Sequence, residues 1–444
     1  MKSYEQLVRH SGNRSLFDFM DISILGTLCG TPIHLHAEGL RGTGKTTLIR
    51  ACKEILPKID RVKGCMYNCN PLSPHCPDHR NLSVEEIREI GIEKIDMPFL
   101  EISPSAKKGT VVGSIDLKKL SSKEHPEASL LLGTIPKAHR GIIFMDEINR
   151  IADTSPEIAD VLLDVMGTKP GRIQIEEAGL STLEVPVQVS VWAASNPDED
   201  PGPLEDIRRQ LSDRFDFSVN VDRPVDPQAI KQILEEGDKG ARGILASEKI
   251  KKFTFAQKDV ECYHPSMETK ELLAFVYVNY GLESLRGIEA ILLGANIRGA
   301  LLQRSPDIDD IIFITKYALR HRSDSKNLGD ILKHLTEMKE KIEKKAKSYN
   351  LNNERPTNSL ETPINNPEKP QISRRRSKNN KFPNPIEKMM SMFKGRGNRA
   401  ESKSHRKSNQ SVSGDMKTIA PPQSALSIKE LELKDYVKTE KELH

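Results

Sequence analysis

The chain is poor in aromatic residues. Phe, Trp and Tyr make up 5% of its 444 residues, and Trp192 is the single tryptophan. So few large apolar rings imply that part of the chain does not enter a packed core. No apolar run approaches the roughly 18–20 residues that a membrane-spanning helix needs, which excludes a helical membrane protein. The first residues, M-K-S-Y-E-Q-L-V-R-H, contain no apolar h-region, so no secretory signal is expected and a cytoplasmic protein is the default. A large excess of charge of one sign is also lacking over most of the sequence. The totals are 67 basic and 63 acidic residues, but residues 371–410 hold 12 Lys/Arg against 2 Glu, leaving 55 basic and 61 acidic residues elsewhere. The basic character belongs to one segment, and the remainder is mildly acidic.

What is present is more specific. Residues 39–46 read G-L-R-G-T-G-K-T, a complete Walker A pattern, with a short apolar segment (33–37) before it and a helix-like segment (48–53) after it. A glycine-rich turn between strand and helix lets backbone N–H groups surround a phosphate chain, and the helix N-terminus adds partial positive charge. In that arrangement Gly39, Leu40, Arg41, Gly42, Thr43, Gly44 and Thr47 form the cradle. Lys45 neutralises the β- and γ-phosphates, and Thr46 places its hydroxyl on Mg²⁺. ATP and Mg²⁺ are therefore the expected ligands.

A chain of this length allows two or three domains. Candidate strands at 33–37, 99–102, 141–145, 187–193 and 215–221 are separated by helical stretches, which predicts an α/β fold with a parallel five-stranded sheet and crossover helices. Ser155-Pro156-Glu157 predicts a helix start, and Ile158, Val161, Leu162 and Val165 mark its buried face. The expected organisation is an α/β nucleotide-binding domain at 1–225 with a Cys-rich loop at 62–80. An α-helical lid follows at 226–325, with helices at 227–236, 270–280, 286–303 and 308–322. A charged helix is expected at 326–349, centred on 333–349, and a basic, mostly disordered tail at 350–444. Within the tail, 427–444 reads equally as a short docking helix or a solvated end.

Downstream chemistry supports the P-loop. Residues 141–147 read G-I-I-F-M-D-E, an apolar strand ending in two carboxylates. Asp146 would hold Mg²⁺ through its water shell, and Glu147 would orient or deprotonate the attacking water. A helix-capping acid is the plainer role for Glu147. Asn196, in A-S-N-P at the end of the fourth strand, could bond the γ-phosphate or the lytic water, although Asn-Pro also starts turns. A lone Arg such as Arg214 is, by itself, more often a surface ion-pair residue.

Together these residues resemble the AAA+ ATPases, and within them the ATPase subunit I of magnesium chelatase, in the clade of MoxR and MCM ATPases. The matching elements are G-L-R-G-T-G-K-T-T, V-V-G-S-I-D-L (111–117), A-H-R-G-I-I-F-M-D-E-I-N-R-I (138–151), A-D-V-L-L-D-V-M (159–166), A-S-N-P (194–197), Q-L-S-D-R-F-D (210–216), S-L-R-G-I-E-A (284–290) and A-L-R-H-R (318–322). The resemblance implies sensor 1 at Asn196, the arginine finger at Arg214 and sensor 2 at Arg286, contributed by the lid. It also implies a β-hairpin before sensor 1 at 171–187, which the alternation of Ile173 and Ile175 and an Ala-Gly turn support independently. The implied assembly is a ring, expected to be a hexamer, whose sites close between subunits. The implied partners are a D-type chelatase subunit with a von Willebrand A domain and a porphyrin-binding H-type subunit. The implied reaction is ATP-driven Mg²⁺ insertion into protoporphyrin IX. One departure is that the family's Val-Gly-Gln-type element, which contacts adenine, is not found before Ile33. Two alternatives stay open: a MoxR-like chaperone ATPase with an unrelated von Willebrand A partner, and a nucleic-acid remodeller resembling MCM. For the last there is only the basic tail, so nucleic acid is not the expected partner.

Cys65, Cys69, Cys76 and His79 have the spacing C-x3-C-x6-C-x2-H in a turn-rich loop. Four such ligands could hold a structural Zn²⁺ tetrahedrally, an iron–sulfur site is a poorer match, and a loop of reduced thiols is the plainer reading. Cys29, Cys52 and Cys262 read as buried or incidental thiols. The basic runs at 373–378 and 394–407 could contact nucleic acid or an anionic membrane surface, or serve as a flexible linker or docking arm.

Overall fold

A computed structural model describes residues 3–115, 130–175, 183–235 and 246–353. Among these, the strands in chain order are β1 (Leu35–Glu38), β2 (Lys58–Val62), β3 (Ile92–Asp96), β4 (Phe99–Ile102), β5 (Gly113–Ile115), β6 (Leu130–Leu132), β7 (Gly141–Met145), β8 (Gly171–Ile175), β9 (Leu183–Val187), β10 (Val189–Ser195) and β11 (Phe217–Asn220). Five of them form one all-parallel sheet in the order β11-β1-β10-β7-β4. β1, β7 and β10 are buried at every position, as continuous apolar strands covered on both faces should be. The expected strands at 33–37, 187–193 and 215–221 begin two residues later than the apolar pattern suggests. Ile33 and Phe215 are buried lead-ins, and Val187 belongs to the preceding hairpin.

The alternation along each strand divides the core into two layers. On one face Ile142, Phe144, Trp192 and Phe217 pack with helix Arg14–Leu28 and the C-terminal helices. On the other, Ile143, Met145, Val191 and Ala193 pack with helix Pro156–Val165 and with the β8–β9 hairpin. The pre-sensor hairpin is thus present as expected, while its Ala-Gly turn lies outside the described residues.

Helix Arg14–Leu28 was not anticipated from the sequence. It buries Leu16, Phe17, Phe19, Met20, Ile22, Ile24 and Leu25, each worth about 1.5–3 kcal/mol of transfer free energy. Ser23 Oγ donates to Ile33 O at 2.7 Å and accepts from Trp192 Nε1 at 2.8 Å, so the one tryptophan is buried with its N–H satisfied.

The C-terminal helices are Pro227–Glu235, Ala246–Asp259, Met267–Asn279, Leu285–Leu301, Ile308–Ala318 and Ser325–Asn353. The second was not expected, and the last is longer than the charged helix read at 333–349. Ile331 and Leu335 of that last helix are fully buried in the shared core, so it begins as part of the lid rather than as a separate body. The expected boundary at 225/226 is likewise no break in packing. Phe19 stacks on Phe313 at 5.5 Å and meets Phe217 at 4.7 Å, joining sheet and lid through one aromatic cluster. Asn350–Asn353 continue the last helix where the tail was expected to begin; the remainder of the tail reading, including 427–444 and both basic runs, lies outside the described residues.

Candidate nucleotide site

β1 and β10 run in register with Glu38 opposite Ser195, and β10 and β7 with Ala193 opposite Met145. Gly39, Asp146 and Asn196 therefore leave the sheet at one carboxyl edge. Gly39 is required sterically, since a Cβ there would lie 2.2 Å from the carbonyl oxygen of Val221. Gly44 caps helix Lys45–Ala51 in the left-handed region at φ 85°, which glycine adopts without strain. The resulting cavity of about 250 Å³ is lined by loop 41–47, Asp146, Glu147, Ser195, Asn196 and Glu199. Gly39 and Leu40 stand behind it and contribute carbonyls: Lys45 Nζ donates to both, at 2.8 Å to Leu40.

These residues fit a nucleotide with Mg²⁺. Lys45 is only 9% exposed and its ammonium contacts neutral oxygens, so no anion satisfies its charge directly. Burial pulls its pKa down, against the more distant carboxylates Asp146, Glu199 and Glu38. Thr46 Oγ1 donates to both carboxylate oxygens of Asp146, at 3.0 and 3.2 Å, and so brings together the hard oxygen ligands that Mg²⁺ prefers.

Glu147 caps helix Ile148–Thr154 with φ 54° and ψ 48°. A left-handed conformation costs a non-glycine residue about 1–2 kcal/mol, and such strain concentrates at functional sites. The capping role weighed for Glu147 is thus partly met, though its side chain makes no cap hydrogen bond and pairs with Arg150 at 3.2 Å. Asn196 donates to Glu199 Oε1 at 2.5 Å.

Three residues of this site were missed from the sequence. Glu199 pairs with Arg41, Arg150 and Asn196, and these contacts outweigh desolvation to hold its pKa below the usual range. Its place three residues beyond Asn196 in D-E-D was the available signal. Buried Asn149 donates to the carbonyls of Asn196 and Gly202, both at 3.2 Å, and so ties the Asn196 turn to helix Ile148–Thr154. Arg320 pairs at 3.5 Å with Glu38, the residue before the P-loop, where burial raises the Glu38 pKa against the Arg320 charge.

Arg214 and Arg286 are not among the residues lining this cavity. They share a second one, about 680 Å³, with Gly167, Lys169, Asp216 and Arg322. Burial and the Arg286 charge both lower the Arg214 pKa, as expected for two guanidinium groups held side by side. Arg322 anchors the turn that presents Arg214. It bonds Asp213 Oδ1 at 3.0 Å and the carbonyls of Asp213 and Phe215 at 2.7 Å. Arg286, read from the resemblance as sensor 2 contributed by the lid, therefore lies beside Arg214, read as the finger, within one chain.

The four residues Cys65, Cys69, Cys76 and His79 are also brought together, in the loop after β2. Of the other cysteines, Cys52 is buried, Cys29 half-buried and Cys262 exposed.

No family model matches the chain. It is 30% identical over 298 residues to the magnesium-chelatase 38 kDa subunit of Acidiphilium rubrum, an alignment covering 64% of this chain and 82% of that protein. Identity to magnesium-chelatase subunit ChlI of Cyanidium caldarium is 30% over 300 residues, covering 64% and 80%. Identity to subunit ChlI-2, chloroplastic, of Arabidopsis thaliana is 28% over 295 residues, covering 64% and 68%. A solved complex between subunits BchI and BchD of magnesium chelatase, based on cryo-EM, aligns with 74% of this chain and 98% of its own at 23% identity and a TM-score of 0.39.

Proposed function

This chain belongs to the family of magnesium chelatase ATPase subunits I, within the AAA+ ATPases, and from that premise we propose that it is the ATP-hydrolysing motor of a metal-inserting complex. The observation that carries the ATPase reading is the convergence of Lys45, Thr46, Asp146, Glu147 and Asn196 at one sheet edge, around a cavity lined by the P-loop. When bound with ATP, Mg²⁺ would supply positive charge against that developing on the phosphates during transfer. Thr46 and Asp146 would hold it. Lys45 binds the β- and γ-phosphates, Asn196 aligns the nucleophilic water, and Glu147 takes its proton. Arg41 and Arg150, both tied to Glu199, keep positive charge at the rim.

Arg214 and Arg286 act on a neighbouring subunit's nucleotide. Their lining a cleft apart from that of the P-loop supports this, since an arginine that does not line its own chain's nucleotide cavity is free to serve a neighbour's, and hydrolysis then requires a ring. A homohexamer is the assembly this reading favours. The partners are a D-type chelatase subunit with a von Willebrand A domain and a porphyrin-binding H-type subunit, and the load is Mg²⁺ insertion into protoporphyrin IX. The relatives' names favour this over the MoxR-like and nucleic-acid readings. No helix of the described residues is long and apolar enough to cross a membrane, and a cytoplasmic location is part of the proposal. The division into a 1–225 nucleotide-binding domain, a 226–325 lid and a C-terminal tail is retained as a functional one.

The test is substitution. The chain replaces the I-type subunit in an assay with the D-type and H-type subunits, Mg²⁺, ATP and protoporphyrin IX, with the metallated porphyrin read by its fluorescence. Metal insertion that depends on this chain and on its Lys45 is the expected result. Robust ATP turnover with no insertion, and no association with the D-type subunit, would contradict the assignment of the load.

A further inference from the structure

The segment between β2 and helix Val84–Ile90 is long, and its one β-bridge is the isolated pair Asn70–Ser73. A loop of this length is uncommon in a compact domain without something to organise it. Its interior is not an ordinary apolar core. Cys65, Cys69 and Cys76 are buried, with exposures of 3%, 0% and 0%, and half-buried His79 sits beside them. The three Sγ atoms and one His ring nitrogen all lie within 4.8 Å of one another. A tetrahedral Zn²⁺ with Zn–S of about 2.3 Å sets its sulfur ligands about 3.7 Å apart, so the span of this constellation suits four ligands round one ion after small adjustments.

The surroundings suit a metal-bound thiolate. The backbone N–H groups of Cys76 and His75 donate to Cys69 Sγ at 3.3 and 3.4 Å, and Cys76 Sγ lies 3.0 Å from His79 Nδ1. The frame around the cluster is tied by hydrogen bonds and a ring stack. Arg61 Nη1 donates to Cys65 O and Asn68 Oδ1, Asn68 Nδ2 donates to Lys137 O at 2.8 Å, and His75 stacks on His139 at 3.7 Å. Lys137 and His139 precede β7, so the cluster lies toward the amino end of a strand whose carboxyl end carries Asp146.

We propose that Cys65, Cys69, Cys76 and His79 bind one zinc ion in a closed Cys₃His site that folds the loop onto the β2–β3 ribbon. Four protein donors leave no open coordination position, and the site sits away from the nucleotide edge, so its role is structural. Soft thiolates with one imidazole select zinc over the hard cations that the P-loop accepts. Metal binding supplies this loop with the folding free energy that its small apolar content lacks.

The test uses the full chain, purified without a metal-affinity column and analysed for metals by mass spectrometry. The expected result is about one zinc per chain, reduced to background in Cys69→Ser and Cys76→Ser and unchanged in Cys262→Ser. Cobalt(II) exchanged into the wild-type protein should give thiolate charge-transfer bands and the intense visible bands of a tetrahedral site. A mercurial thiol reagent added to folded wild-type protein should release the zinc as the three cluster thiols react, a readout that needs no variant to fold. Iron with inorganic sulfide in place of zinc, or thiols that react with no zinc released, would overturn the proposal.

Discussion

Arg214 and Arg286 reach the same acceptor, the carbonyl oxygen of Gly167, Arg214 through Nη1 at 3.2 Å and Arg286 through Nη2 at 3.1 Å. One comes from the turn before β11 and the other from the first turn of helix Leu285–Leu301. Asp213 lies against the pair, 3.8 Å from Arg286 Nε, but it is also engaged by Arg322. The hydrogen bonds of both guanidinium groups thus end on a neutral carbonyl, while Asp213 and Asp164 act on Arg214 as charges. A phosphate brought to the pair would be a stronger, charge-assisted acceptor than that carbonyl.

Glu147→Gln keeps the size of the side chain and removes its capacity to take a proton. We expect kcat for ATP hydrolysis to fall roughly 10²–10⁴-fold while nucleotide affinity changes little. Steady-state turnover together with equilibrium binding of a fluorescent ATP analogue separates the two. Equal loss of binding and turnover would assign Glu147 to the fold, as a strained cap.

Acid should destabilise the fold through β1. His34 Nδ1 accepts from Val191 N at 3.1 Å, which fixes the neutral tautomer, and Nε2 has no hydrogen-bond partner. Burial lowers the His34 pKa to about 3, with Asp216 opposing and Lys169 and Arg286 assisting. Burial likewise lowers His36 to about 4, with Arg320 and Lys45 assisting. Below pH ~6.5 the unfolded chain takes up protons that the folded chain refuses, so stability falls as pH drops from there toward the folded pKa values. Each histidine accounts for about 2 kcal/mol by pH ~5. Thermal unfolding between pH 7.5 and 5 should show a falling midpoint, with a shallower fall in His34→Asn, whose side-chain oxygen can still accept from Val191. An identical pH slope in that variant would refute the His34 contribution.

The nucleotide edge was legible because its parts are local. Gly39, Gly44, Lys45 and Thr46 follow from one turn, and G-I-I-F-M-D-E announces both a strand and what it delivers. Helix Arg14–Leu28 was illegible because it is buried almost all round, so its apolar residues form no 3.6-residue stripe. Helix Ala246–Asp259 was hidden for the opposite reason: it is lysine-rich and buries little beyond Phe253 and Ala256, with Lys249 paired to Asp21. The meeting of Arg214 and Arg286 could not be read at all. It depends on how the lid packs against β11, which is tertiary information that no local spacing carries.

The most direct measurement mixes two inactive chains. Lys45→Ala lacks a working pocket but keeps Arg214 and Arg286, whereas Arg214→Ala keeps the pocket and lacks the finger. If the arginines serve the neighbouring subunit, random co-assembly makes roughly a quarter of the interfaces complete. ATP turnover of an equimolar mixture should then rise above that of either variant alone, with Arg214→Ala by itself reduced on the order of 10³-fold. A mixture no more active than its parents while oligomers still form, or an Arg214→Ala chain that turns over ATP at the wild-type rate, would contradict the shared site.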